Sequence, residues 1–97
     1  MHTVPTSKSS GDLGVSDATV VDGQAIITGV SIKAAAADVV VIIYDNTAAS
    51  GTKVFDYTLD LSVYGLSQYI PLPDVKCKTG MRVVVTGTGA VVIVHYR

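Results

Sequence analysis

Ninety-seven residues allow one hydrophobic core and exclude a multidomain protein. A 48% hydrophobic content argues against disorder, and no apolar run approaches the roughly 18 residues of a membrane helix, so a soluble folded domain is expected. Seven basic against eight acidic side chains, with Lys33, Lys53, Lys76, Lys78 and Arg82 spread along the chain, argue against nucleic acid as a partner, and a lone Cys77 excludes an internal disulfide and a thiolate metal cluster.

Residues 1–17 are polar, rich in Ser and Gly, and lack a hydrophobic period. They predict an extended N-terminal arm, disordered alone because it buries too little apolar surface to offset the entropy of ordering, or ordered along a neighbouring subunit. The first residues also lack the basic start and apolar middle of a secretory signal, so no export is expected. The folded domain then spans residues 18–97.

Residues 18–21 predict a short strand, and Asp22-Gly23 a tight turn into a second strand over residues 24–33, the two pairing as a hairpin. In the second strand Ile26, Val30 and Ile32 share the face expected to look inward, with Gly29, Ser31 and Lys33 on the other. Four alanines at residues 34–37 are too few to hold a helix and predict a connection. The run Val39-Val40-Val41-Ile42-Ile43-Tyr44 has no polar interruption and predicts a strand covered on both faces. Asp45, Asn46 and Gly51 then predict a hairpin loop.

Residues 53–61 alternate cleanly, with Phe55, Tyr57, Leu59 and Leu61 facing in and Asp56, Thr58 and Asp60 facing out. Residues 62–67 predict a loop and residues 68–72 a short strand at a sheet edge, since Pro71 and Pro73 cannot donate to a ladder; residues 74–78 add a short extended piece. Two last strands, residues 81–86 and 90–97, flank Gly87-Thr88-Gly89 and are expected to pair. Either two-residue loop register puts Met81, Val83, Val85, Val92, Val94 and Tyr96 on one face and Arg82, Ile93, His95 and Arg97 on the other. Some seven to nine short strands without a convincing helix, in a chain whose acidic residues are all Asp, predict an all-β, single-domain antiparallel β-sandwich, jelly-roll-like.

No constellation points to catalysis. Gly87-Thr88-Gly89 lacks the helix and lysine of a phosphate loop; Asp45, Asn46 and Ser50 lack the spacing and closing Glu of a calcium loop. Asp56 and Asp60 sit about 13 Å apart along a strand, too far for a glycosidase pair, and His2 and His95 have no partner at triad or zinc spacing. No enzyme activity, cofactor or metal is expected. Tyr44, Tyr57, Tyr64, Tyr69 and Tyr96 suit core or interface positions better than a sugar-stacking platform. The surfaces that stand out are apolar: Val39, Val41 and Ile43 on one face of the central strand, and Val84, Val91 and Ile93 opposite the core face of the last two strands, form the expected interface.

The segments Gly29-Val30-Ser31-Ile32, Tyr44-Asp45-Asn46-Thr47-Ala48-Ala49-Ser50-Gly51-Thr52, Ile70-Pro71-Leu72-Pro73, Thr79-Gly80-Met81-Arg82-Val83-Val84-Val85-Thr86-Gly87-Thr88-Gly89-Ala90 and Val92-Ile93-Val94-His95-Tyr96-Arg97 carry a further signal. In their turn words between apolar strands, from about Ala18 onward, the chain resembles small structural proteins of tailed bacteriophages, the head decoration (cement) proteins and minor tail or fibre components. The resemblance implies a β-sandwich made in the host cytoplasm and bound in many copies to the capsid surface of the virion, with the major capsid protein and its own siblings (a dimer or trimer) as partners, and neither nucleic acid nor membrane. The alternative it implies is a tail or fibre module that binds a host-surface glycan or receptor. It carries no site residue across.

Overall fold

The structure is a computed structural model and describes residues 8–60 and 67–97. It is all-β, with strands β1 (Lys8–Ser9), β2 (Ser16–Asp22), β3 (Ala25–Lys33), β4 (Val39–Tyr44), β5 (Lys53–Leu59), β6 (Ser67–Cys77), β7 (Gly80–Thr86) and β8 (Val91–Tyr96). They form two four-stranded sheets, a first in the order β1-β8-β3-β6 and a second in the order β2-β7-β4-β5. Every pairing is antiparallel, and four of them are nested: β1 with β8, β2 with β7, β3 with β6 and β4 with β5. The chain is thus one long hairpin folded at the β4–β5 turn. Rolling it up adds β3 beside β8 and β4 beside β7, which is the jelly-roll form of the β-sandwich.

The core lies between the sheets and is built by alternation. On β4, Val39, Val41 and Ile43 are fully buried while Val40, Ile42 and Tyr44 are half-buried on the outer side. Ile27, Val30 and Ile32 of β3, Leu59 of β5, Met81, Val83 and Val85 of β7, and Val92 and Val94 of β8 complete the interior. Each large aliphatic among them stabilises the fold by about 1.5–3 kcal/mol through burial. No polar or charged side chain is buried among the described residues.

Two expected hairpins do not form. Asp22-Gly23 carries the chain from the second sheet to the first: β2 pairs with β7, β3 pairs with β6 and β8, and the Gly23 N–H donates to the Thr79 carbonyl of the neighbouring link (3.1 Å). Gly87-Thr88-Gly89 likewise crosses between sheets, so Val85 and Val92 enter one core from opposite sheets rather than facing along a ladder. The face assignment survives, because a link that crosses the sandwich turns the same side chains inward as a hairpin would.

At that end of the sandwich the Gly87-Thr88-Gly89 link passes the alanine link between β3 and β4. The Ala36 N–H donates to the Thr88 carbonyl (3.4 Å), and a Cβ added at Gly89 would lie 2.9 Å from the Ala35 methyl. Small side chains at residues 34–37 let the two links cross in contact.

The β4–β5 hairpin forms as expected, from Val39↔Leu59 to Tyr44↔Lys53, closed by the Asp45 N–H on the Thr52 carbonyl (2.9 Å). Leu59 is buried, Phe55 and Tyr57 pack on the core, and Asp56 and Thr58 are exposed; Leu61 lies outside the described residues. The two extended pieces around Pro71 and Pro73 are one edge strand, β6, kinked opposite the β3 bulge, where Asp74 adopts φ 49°. That bulge, between Ile27 and Gly29, shifts the inward face of β3 from odd to even positions. Ala25 and Ile27 therefore point in, and Ile26, expected inside, is half-buried on the other face.

The expected boundary at residue 18 also moves. Lys8 and Ser9 pair with β8, the Ser10 N–H donates to the Val94 carbonyl (2.9 Å), Leu13 donates to Val92 (2.9 Å) and packs against the core, and β2 starts at Ser16. The described part of the arm spends its backbone groups on its own sandwich.

Candidate functional site: two outer sheet faces

The two sheets turn patterned faces outward. On the first sheet, β-pairing sets three rows across β6, β3 and β8: Ser67, Lys33 and Val91; then Tyr69, Ser31 and Ile93; then Pro71, Gly29 and His95, with Ser9 of β1 beside His95. Tyr69 is the large aromatic left in solvent, 55% exposed. Its ring lies across Gly29, where an added Cβ would come within 2.7 Å of the Tyr69 Cζ, and meets the His95 ring edge-on at a centroid distance of 5.8 Å. The absence of a side chain at Gly29 is what lets a tyrosine lie flat there. A shallow groove of about 320 Å³ runs beside it, along Lys33, Ser67, Val91 and Ile93.

His95 Nε2 and Ser31 Oγ lie 3.0 Å apart, the geometry of a nucleophile and its base. Among the described residues no carboxylate pairs with this ring, so they supply no third member of a triad. The pair ties β3 to β8 on an open sheet face.

On the second sheet the outward rows are Thr86, Val40 and Thr58; then Asp17, Val84, Ile42 and Asp56; then Thr19, Arg82, Tyr44 and Lys53. Val40, Ile42, Tyr44 and Val84 form a half-buried apolar centre. Charges rim it. Arg82 Nε donates to Asp17 Oδ1 (2.7 Å) and its Nη1 to Thr19 Oγ1 (2.9 Å), while Lys53 stands 3.6 Å from Asp56.

The expected interface is corrected by this arrangement. Val39, Val41 and Ile43 fill the chain's own core and offer nothing to another molecule, whereas their neighbours Val40, Ile42 and Tyr44 face out. Val84 lies on the outer face of the second sheet, and Val91 and Ile93 on that of the first, so they belong to separate surfaces. Alternation could not choose between the faces of β4, because both are apolar. The Ser31–His95 pair, 64 residues apart in sequence, left no local signal.

Several other polar residues are committed to structure. Asp45 Oδ1 accepts the Thr79 N–H (2.8 Å), which with the neighbouring backbone donors holds its carboxyl below the usual value of 3.8. Asn46 accepts from the Thr47 N–H (2.8 Å) and donates to the Ser50 carbonyl (2.9 Å), as a turn requires. The Cys77 thiol is buried, and desolvation, with a smaller push from the Asp45 charge, raises its pKa to about 11, which keeps it protonated at neutral pH. Tyr57 donates from its hydroxyl to Gln68 and stacks on Phe55 at 6.1 Å. Asp56 is exposed and Asp60 half-buried; His2 and Tyr64 lie outside the described residues. Among the described residues no three His, Cys, Asp or Glu side chains gather as metal ligands, and no helix is long and apolar enough to cross a membrane.

The fold and these surfaces define a jelly-roll β-sandwich with two patterned outer faces. No family model matches the chain, and neither a curated protein nor a solved structure matches it.

Proposed function

We propose that the protein is a structural subunit of a virion, a decoration protein that binds the outside of a phage capsid in many copies and stabilises it. The observation that carries this reading is the aliphatic content of both outer sheet faces: Val40, Ile42 and Val84 on one, Val91 and Ile93 on the other, each only half-buried by its own chain. A two-layer sandwich has one interior, and apolar residues patterned on its outside mark a surface that is buried by a partner. The resemblance of the strand and turn pattern to tailed-phage structural proteins names the major capsid protein and sibling copies of the chain as the partners for these two faces.

One observation favours a second reading. Tyr69, exposed beside Ser31, Ser67 and Lys33, offers a ring face next to hydroxyl and ammonium groups, the chemistry that holds a sugar, as a tail or fibre module for a host-surface glycan would need. Adding the purified protein to phage shells that lack it separates the two. Saturable co-sedimentation in many copies per shell, with a raised melting temperature of the shell, supports decoration. A few copies per particle together with retention on host-surface polysaccharide supports the tail module, and no association with shells refutes the decoration role.

A further inference from the structure

We propose that the outer face of the β2-β7-β4-β5 sheet binds a second copy of this chain, packed face to face about a two-fold axis that lies in the interface and runs across the strands. The argument rests on the order of side chains over that face and stands independently of shell binding. Its middle row, Asp17, Val84, Ile42 and Asp56, has acids at both ends and aliphatics between. The adjoining row, Thr19, Arg82, Tyr44 and Lys53, carries the bases. An acidic row beside a basic row is a self-complementary pattern, which is what an isologous interface needs.

A two-fold axis between these rows and across the strands places each row over the other row of the partner, strand over the same strand. Asp56 then faces the second copy's Lys53, Ile42 faces its Tyr44, and Val84 lies under the aliphatic stem of its Arg82. The strands remain aligned, as stacked sheets about 10 Å apart prefer. The alternative two-fold, parallel to the strands, sets Asp17 over Asp56 twice and is opposed by like-charge repulsion. The existing Lys53–Asp56 pair does not compete strongly with this exchange, since both side chains are about half exposed (50% and 52%) and the 3.6 Å contact is the kind that contributes little in water.

The test is sedimentation equilibrium of the full-length protein from micromolar to millimolar concentration, with three variants. The wild type is expected at twice the 10.1 kDa chain mass. Ile42→Lys, on the exposed side of β4, is expected to give folded monomer. Asp56→Lys is expected to raise the dissociation constant at least tenfold by setting Lys over Lys, and the exchange Lys53→Asp with Asp56→Lys to restore it. A wild type that stays monomeric or forms another oligomer overturns the proposal. So does a dimer indifferent to Ile42→Lys, or one that the charge exchange fails to rescue.

Discussion

Gly87 and Gly23 have nearly the same backbone, φ 124° and 127°, in a region that residues with a Cβ avoid, but very different surroundings. An added Cβ at Gly23 meets nothing within 4 Å, whereas at Gly87 it would lie 2.5 Å from the Asp38 carbonyl oxygen and 3.1 Å from the Val39 Cα. Both of those atoms are backbone at the entry to β4, so no side-chain rotation relieves the contact. Gly23→Ala therefore carries the dihedral strain alone, about 1–3 kcal/mol. Gly87→Ala adds to the same strain a displacement of β4, about 1–3 kcal/mol more by analogy with overpacked cores. The sum is a large part of the roughly 5–15 kcal/mol that holds a small domain together. At about 4–8 °C per kcal/mol, that extra ~1–3 kcal/mol should make Gly87→Ala melt about 4–24 °C below Gly23→Ala. Urea and thermal unfolding of both variants, followed by far-UV circular dichroism, gives the comparison directly. Equal destabilisation would refute the close crossing of the two links, because a simple hairpin loop at Gly87 leaves its Cβ in solvent.

Two further outcomes test the face assignment and the turn electrostatics. Val85→Asp, at a position 1% exposed, should abolish folding by burying an unpaired charge at a cost of several kcal/mol, while Thr86→Asp, one residue on and facing out, should stay within about 0.5 kcal/mol of wild type; equal tolerance in a denaturant titration would invert the faces of β7. Because the Asp45 carboxyl has a folded-state pKa below 3.8, it contributes stability that is present above that pH and lost as pH falls through the depressed value. Asp45→Asn should thus be less stable than wild type at neutral pH and converge with it in acid, and a gap unchanged between pH 7 and pH 2 would remove the carboxylate from the account.

What the sequence made legible was the inward set of side chains, and what it hid was the partner of each strand. Val83, Val85, Val92 and Val94 are core whether their strands pair along a ladder or face each other across the sandwich, so the alternation is the same in both arrangements. Asp22-Gly23 and Gly87-Thr88-Gly89 report that the chain reverses, not whether it stays in its sheet. The Asp45 to Gly51 loop reads as the hairpin it is because the strands it joins are true neighbours. Ile26 faces out, against the simple alternation, because one extra residue, Thr28, resets the period within β3. The outer faces were the least legible. Val40 and Val41 are identical in type, and only the assembled sheet shows which of them is core; the Tyr69, Ser31 and His95 cluster joins three strands that are distant in sequence.

The nested pairing has a consequence for how the chain comes to be folded. Of the nested pairs only β4 and β5 are consecutive in the chain, so the other pairs must close progressively wider loops before their contacts return any free energy. Since β1 and β3 pair with β8, the first sheet is incomplete until β8 has been made. Until β7 follows, the apolar run from Val39 to Tyr44 has only β5 as a ladder neighbour. Refolding is accordingly expected on the millisecond-to-second scale of non-local β topologies, and a microsecond phase accounting for all of the native signal in stopped-flow or temperature-jump measurements would contradict it. A nascent chain of this design depends on solubility along its first half, which its scattered Asp residues and polar N-terminal stretch supply.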